Sequence, residues 1–206
     1  MRSVKHSLKR SFQYSITMST AVPAESARRE ELLERAYAYV LAHGLADLSL
    51  RPLAAAVGSS PRVLLFLFGS KDELVRALLR RARADELALL QRLRDCGQRD
   101  LATTAAAVWR WLTALEHRSL LRVWVESYAK SLIDPDGPWA GFARSTVEDW
   151  LALLGEAHPP HSRQTTSAQA QPTLVLAVLR GALLDLLATG EVARPTRAVR
   201  SLLETL

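Results

Sequence analysis

Apolar side chains recur at helical spacing along most of the chain, and glycines, prolines and capping residues separate the apolar runs. Runs that alternate Val, Ile or Thr with polar residues, as strands do, are missing. The pattern predicts an all-α protein of about nine helices. The first helix is expected over 26–44 and the last two over 174–189 and 197–206, with a loop rich in Pro, Ser, Thr and Gln over 155–171.

Two short helices are predicted after the first. Ser49 is of a type favoured at a helix N-cap, and Gly58 ends the helix that follows it. Ser60 caps the next, and Pro61 falls at the first helical position, where its missing N–H costs nothing. The two helices are therefore joined by a tight turn that contains glycine.

A long helix is predicted next, because Ser70 and Glu73 have the spacing of a capping box that opens a helix toward Asp95. The short helix before it has little area to bury, so Leu64 and Phe68, four residues apart on one face, must hold it against its neighbours. The arrangement predicts a helix-turn-helix within a three-helix unit.

The stretch SLRPLAAAVGSSPRVLLFLFGSKDELV resembles the DNA-binding helix-turn-helix of the tetracycline-repressor (TetR) family of bacterial regulators. The resemblance covers the first helix with Gly44. It continues at Leu53, Ala54, Val57, Gly58, Leu64, Phe68 and Lys71 to Leu74. The rest of the chain resembles the family only in being helical. The resemblance implies a DNA-binding regulator that dimerises through its last two helices and has a ligand domain behind the DNA-binding unit.

The resemblance also implies that the helix from Ser60 to Phe68 is the recognition helix and that Lys71 contacts a phosphate. The chain has leucine at Leu65 and Leu67, where the family usually has tyrosine and histidine or tyrosine, so two phosphate-bonding groups are missing. Leu65 or Phe66 can instead pack on thymine methyl groups, and Arg62, unless it is an ordinary solvated surface charge, is placed to read a guanine. The predicted DNA-contacting set is Ser49, Arg51, Ser59, Ser60, Pro61, Arg62, Leu65, Phe66 and Lys71.

The formal charge of +6, from 27 basic and 21 acidic residues, is compatible with a polyanionic partner. The segment 24–74 is slightly negative, so DNA binding there requires a few well-placed cations rather than a broad basic field. Residues 1–23 are expected to be a basic, disordered leader. The alternatives are an unstructured leader, a functional start at Met18, or a basic arm that acts through Arg2, Lys5, Lys9 and Arg10.

Large aromatic residues concentrate in the middle helices. They either fill a core otherwise made of Ala and Leu, or line a cavity for a largely apolar small molecule. The family resemblance favours the cavity. The candidate ligand-binding residues are Trp109, Trp124, Tyr128, Trp139, Phe142 and Trp150.

The helix that begins at Leu174 is apolar on nearly every side and must be covered on every side, by its own domain or by a second subunit. Arg180 and Asp185 interrupt the run and argue against a membrane span. The family resemblance implies a homodimer, with candidate interface residues Leu174, Val178, Gly181 and Asp185.

Catalytic and metal-binding signatures are weak. The sequence contains no G-x-S-x-G, no H-E-x-x-H and no phosphate-binding glycine loop, so an enzyme is not expected. His158 and His161 are separated by two prolines, which suits a loop better than a metal site. Cys96 is the only cysteine, so no disulfide forms within the chain and a reducing cytoplasm is expected. No cofactor and no metal are predicted.

These observations predict three parts: the leader 1–23, a helix-turn-helix domain 24–75, and a helical ligand-binding and dimerisation domain 76–206. The predicted function is a ligand-responsive transcriptional repressor that binds a palindromic double-stranded DNA operator as a homodimer and is released by an apolar effector. The alternative is a helical dimer that keeps the fold but serves as a ligand-binding or protein-interaction module. Leu65 and Leu67 favour this alternative because neither can bond a phosphate.

Overall fold

The computed structural model describes residues 24–95, 100–157 and 166–206, and these ranges contain helices and short connections but no strand. The predicted all-α fold is confirmed. In the described ranges the helices are α1 (Ala24–His43), α2 (Leu50–Ala56), α3 (Pro61–Phe68), α4 (Lys71–Asp95), α5 (Leu101–Thr113), α6 (Arg118–Ile133), α7 (Phe142–Glu156), α8 (Thr166–Thr189) and α9 (Ala193–Leu203). The predicted leader, Cys96 and the pair His158 and His161 lie outside the described residues.

The bounds of the last two helices differ from the prediction. Helix α8 begins at Thr166, inside the stretch that was expected to be a loop, and carries Pro172 within it. Pro172 is buried and Val175 and Leu176 behind it belong to the core, so tertiary packing outweighs the low helix propensity of this segment. Helix α9 begins at Ala193, four residues early, because Pro195 falls in its tolerant first turn.

Side-chain caps define the ends of the short helices. Ser60 Oγ accepts a hydrogen bond from the Val63 N–H at 3.3 Å, and Ser70 Oγ accepts one from the Glu73 N–H at 3.1 Å, as predicted. Ser49 occupies the N-cap of α2 in an extended conformation, but its side chain makes no capping bond. Gly58 ends the turn between α2 and α3 at φ +68°, a left-handed conformation that glycine adopts without strain.

Helices α1 to α3 and the first half of α4 enclose one hydrophobic core. Leu32, Ala36 and Val40 on α1 are fully buried, whereas Leu33 and Leu41 are only half-buried. From α3, Leu64 and Phe68 enter the core, as their spacing predicted.

The remaining helices enclose a second core. Helices α5, α7, α8 and α9 contribute most of its buried side chains, and the second half of α4 adds Leu89, Leu90 and Leu93. Leu74 to Ala82 on α4 belong instead to the first core. Helix α4 therefore connects the two cores, and the domain boundary near residue 75 stays a prediction.

Polar contacts tie α1 to α4 between the two cores. The Tyr37 hydroxyl donates to Asp85 Oδ2 at 2.9 Å, and Arg81 Nε donates to Glu34 Oε1 at 2.6 Å. Arg81 also pairs with Asp85 and lies over the Tyr37 ring. Burial and the bond to Asp85 raise the pKa of Tyr37 well above its usual range.

Within the described residues, one helical segment, Ala170–Thr189, is long and apolar enough to cross a membrane by length and composition. Arg180 and Asp185 do not lower the mean hydropathy of the segment enough to fail this test, and the expectation that they argue against a membrane span stays a prediction. In the structure Val175, Leu179 and Leu186 on this helix pack into the second core, while Leu184 remains exposed. The helix thus has one face inside its domain and one face outside it.

We predict that Leu64→Ala destabilises the protein by about 2–5 kcal/mol, because a fully buried leucine leaves a cavity when truncated. Leu65→Ala is the matched control, since Leu65 is 39% exposed, and should cost less than about 1 kcal/mol. Urea unfolding followed by circular dichroism measures both. Equal losses in the two variants would contradict the packing of α3 described above.

Candidate nucleic-acid interface and ligand cavity

Helix α3 presents an unusually apolar outer face. Phe66 is 74% exposed, and Val63 and Leu65 are each 39% exposed, while Leu64 and Phe68 face the core. Arg62 is exposed in the first turn of the helix. The exposed face therefore combines one cation at its N-terminal end with apolar groups along its length.

The predicted DNA-contacting residues lie in α2 and α3, in the residues just before each of these helices, and at the start of α4. Helices α2 and α3 contain two arginines, Arg51 and Arg62, and no acidic residue, so this part of the surface is locally positive. Ser49, Arg51, Ser60 and Lys71 are exposed, and Ser59 and Pro61 are half-buried.

Two arginines of α1, neither of them among the predicted residues, hold the short helices in place. Arg29 Nε donates to the Leu67 carbonyl at 3.2 Å, and its guanidinium lies 4.8 Å from the centre of the Phe68 ring. Arg35 Nη1 donates to the Val57 carbonyl at 3.4 Å. Both contact carbonyls at helix C-terminal ends, where positive charge is favoured.

A cavity of about 50 Å³ lies among α4, α5, α6, α7 and α8. Its walls are mostly Leu and aromatic side chains, and three of the predicted ligand residues line it: Trp124, Phe142 and Trp150. Trp111, another of the aromatic residues of the middle helices, also lines it, and its ring stacks on His117 at 4.0 Å between centroids.

The other predicted ligand residues do not line this cavity. The Trp109 indole N–H donates to Thr196 Oγ1 at 3.0 Å, which ties α5 to α9. Trp139 packs with the core of the helix-turn-helix unit. Tyr128 stands beside Trp124, with 5.3 Å between the ring centroids. Helical spacing groups residues on a face but does not say which face borders a cavity.

Two charged side chains reach this apolar cavity, Glu86 from α4 and Arg180 from α8. Glu86 is only 6% exposed, and its carboxylate accepts a hydrogen bond from the Trp150 indole N–H at 2.6 Å and one from Arg83 at 3.4 Å. Burial raises the pKa of Glu86 above its usual value.

Arg180 is less completely bonded. Its Nη1 donates to the Tyr128 hydroxyl at 3.3 Å, whereas Nε and Nη2 are buried without a hydrogen-bond partner among the described residues. The buried indole N–H of Trp124 forms no hydrogen bond of ordinary geometry, but it faces the Glu86 carboxylate and acts to lower the pKa of that group. The sequence signal for Arg180 was its position as a charge inside an apolar helix.

Helix α6 contacts both the cavity and the helix-turn-helix unit. Two residues after Trp124, the carboxylate of Glu126 accepts hydrogen bonds from the backbone N–H groups of Leu45 at 2.8 Å and Ala46 at 3.4 Å. Gly44 permits this approach, because a Cβ there would lie 2.8 Å from Glu126 Oε1. Its φ of +86° also suits glycine.

The candidate interface residues lie along α8. Leu174 and Gly181 are exposed, and Val178 is half-buried. Nothing within 4 Å would meet a Cβ at Gly181, so a second helix could approach closely there. Asp185 pairs with Arg194 of the same chain.

Within the described residues no group of three or more His, Cys, Asp or Glu side chains could hold a metal ion.

Comparison with solved structures gives many matches of the same fold. A transcriptional regulator from Rhodococcus sp. is 21% identical, with a TM-score of 0.71 over 86% of this chain and 94% of that one. A TetR-family regulator from Cytophaga hutchinsonii is 16% identical, with a TM-score of 0.68 over 89% and 94%. The multidrug-binding protein EbrR, solved with proflavin, is 22% identical, with a TM-score of 0.63 over 87% and 99%.

No protein-family model matches the sequence, and no curated protein matches it significantly. At these identities the similarity to solved structures concerns the fold. The chain therefore has the fold of the TetR family of transcriptional regulators, which confirms the family resemblance of its helix-turn-helix sequence at the level of the fold.

Proposed function

We propose that the protein is a cytoplasmic, homodimeric transcriptional regulator that represses genes by binding a palindromic operator and is released by a small effector. The observation that carries the proposal is the exposed face of α3, with Arg62 at its start, held on a helix-turn-helix unit of TetR-family fold. The role is regulatory and requires no catalytic residue.

We assign recognition of the DNA base sequence to α3. Its eight residues are fixed by Leu64, Phe68 and the contacts of Arg29, so its outer face can enter a major groove as a rigid element. An arginine at the N-terminal end of such a helix can bond the O6 and N7 of a guanine together. Leu65 and Phe66 suit thymine methyl groups, and Lys71, exposed at the start of α4, suits a phosphate.

Dimerisation is assigned to the outer faces of α8 and α9. Leu174 and Leu184 on α8 and Val192 just before α9 are exposed, and covering them would bury apolar area. A twofold dimer is the commonest way for one surface to cover its own copy. It also allows two recognition helices to lie one helical turn of DNA apart, about 34–36 Å, as a palindrome requires.

Release is assigned to the cavity. Its volume of about 50 Å³ is below the roughly 300–1,000 Å³ of ordinary ligand pockets, so an effector can enter only if the walls move. Trp124 is one of those walls, and Glu126 on the same helix holds the loop that follows α1. Movement of α6 would therefore change the position of the helix-turn-helix unit, and effector and DNA would bind with opposed coupling.

The apolar face of α3 favours a second candidate, a dimer that uses this fold as a protein-interaction module. Phe66 at 74% exposure is an apolar contact group, and neither Leu65 nor Leu67 can bond a phosphate. A salt titration of binding to a random duplex distinguishes the two. A DNA-binding protein loses affinity steeply as salt rises, whereas an interaction module shows almost no dependence.

We predict that Arg62→Ala weakens binding to the cognate operator by about 1–3 kcal/mol and relaxes selectivity at one base position in each half-site. Lys71→Ala should weaken all duplexes alike, because a phosphate contact carries no sequence information. Fluorescence anisotropy on an operator enriched from random DNA, compared with a scrambled duplex, measures both effects. Arg92→Ala, an exposed arginine near the end of α4, is the control. Equal weakening of both duplexes by Arg62→Ala would refute base reading.

We predict that Leu184→Glu dissociates the dimer, because it places charge on a leucine that is 52% exposed in the single chain and covered in the proposed interface. Sedimentation velocity should show a folded monomer, and operator affinity should fall because the two half-sites are no longer bound together. Leu115→Glu is the control, since Leu115 is 76% exposed outside α8 and α9. A stable dimer of Leu184→Glu would place the interface elsewhere.

We predict that Glu126→Ala leaves the Leu45 N–H without its acceptor and costs about 1–3 kcal/mol of stability. Hydrogen exchange at Leu45 and Ala46 should become faster, while exchange in α9 stays unchanged. Glu126→Gln retains one acceptor oxygen and should show a smaller effect. Unchanged exchange at Leu45 in Glu126→Ala would mean that this carboxylate does not hold the loop.

A further inference from the structure

We propose that the effector is an organic acid, with a carboxylate that pairs with Arg180 and an apolar body that lies among the aromatic walls of the cavity. This inference rests on the proposed function and specifies the chemical class of its effector.

The state of Arg180 is the first argument. A guanidinium has five N–H donors, yet one hydrogen bond, to the Tyr128 hydroxyl, is formed within the described part of the chain. Nε and Nη2 are buried and unbonded, and the ring of Tyr128, 5.2 Å away, offers only a cation–π contact. Arg180 as a residue is half-buried, but buried donor atoms without an acceptor are costly, so the site favours a ligand that brings an acceptor.

Access to these donors requires movement. Nε and Nη2 are covered by atoms of this chain, so neither a partner side chain nor a ligand reaches them in this arrangement. Arg180 lines the cavity, whose walls must move to admit an effector, and that movement can uncover the donors on the cavity side.

Glu86 is the other charged group at the cavity, and it gives a weaker argument for a cationic effector. Its carboxylate is bonded on one oxygen by the Trp150 indole N–H and approached on the other by Arg83. Arg83 also pairs with Asp149, which keeps that cation in place. Glu86 thus has partners of its own, and Arg180 does not have an acidic one among the described residues.

Trp124 lines the cavity together with Arg180. Its indole N–H faces the Glu86 carboxylate and acts to lower the pKa of that group, so we assign the ligand carboxylate to Arg180 alone. A carboxylate has two oxygens, and two donor atoms of one guanidinium can bond both of them. The walls from Trp111, Phe142 and Trp150 suit an apolar body.

The test compares acids with their uncharged amides on the purified full chain. The probes are benzoate, 1-naphthoate and decanoate, each paired with its primary amide, and proflavin as a cationic probe. Tryptophan fluorescence and isothermal titration calorimetry measure binding. We expect at least one acid to bind about tenfold or more tightly than its amide, since a charge-assisted hydrogen bond supplies that preference.

Substitution of Arg180 identifies the anchor. Arg180→Met keeps the length of the side chain without its charge, and the ratio of acid to amide affinity should fall to about one. Arg180→Lys keeps the charge without the planar fork and should retain part of the preference. Arg110→Met, which replaces an exposed arginine of α5, should leave the ratio unchanged. Circular dichroism confirms that each variant is folded before it is titrated.

Two results would overturn the proposal. One is that proflavin binds more tightly than every acid, and that ligand affinity falls in Glu86→Gln but not in Arg180→Met. The other is failure of all three acids to bind more tightly than their amides. DNA binding is measured separately: if acids bind through Arg180 but no duplex is bound, the regulator proposal fails and the acid site stands. If an operator is bound but no acid is, the regulator stands and the acid site fails.

Discussion

Helix α4 contributes side chains to both hydrophobic cores, and the rest of the structure depends on this shared packing. Leu74 to Ala82 pack with the helix-turn-helix unit, and Leu89 to Leu93 pack with the C-terminal helices. A continuous helix between two packed cores transmits rotation because neither end can turn without disturbing its neighbours. The contacts of Arg81 with Glu34 and Asp85 reinforce the first half of this connection.

Helix α6 supplies a second connection of a different kind. The contact of Glu126 with the N–H groups after Gly44 is polar and local, so a small displacement of the helix can break it. Trp124, two residues away, is part of the cavity wall. A rigid helix and a breakable contact therefore both join the cavity to the helix-turn-helix unit, and the proposed switch would act through them.

The cavity combines charges with an apolar lining. Glu86 is stabilised by the indole N–H of Trp150 and by Arg83, whereas two donors of Arg180 lack partners within the described chain. An unpaired buried donor lowers stability, so its presence in a folded protein requires an explanation. The proposed specificity for an acid thus follows from how well each of the two charges is bonded.

The sequence by itself determined the helices and the helix-turn-helix, because their signals act within one turn of the chain. Ser60 and Ser70 cap the helices that follow them, and Leu64 and Phe68 enter the core at a spacing visible in the sequence. Tertiary structure alone decided that α8 begins before Pro172, since distant packing outweighs local propensity there.

The content of the site also required tertiary structure. The pairs that define it join residues far apart in the chain: 64 positions separate Glu86 from Trp150, 52 separate Tyr128 from Arg180, and 81 separate Leu45 from Glu126. Helical spacing places aromatic residues on a face, but only the packing of helices shows that Trp111 borders the cavity and Trp109 contacts α9. The local sequence pattern determines the helices, and the contacts between helices determine which side chains form the cavity.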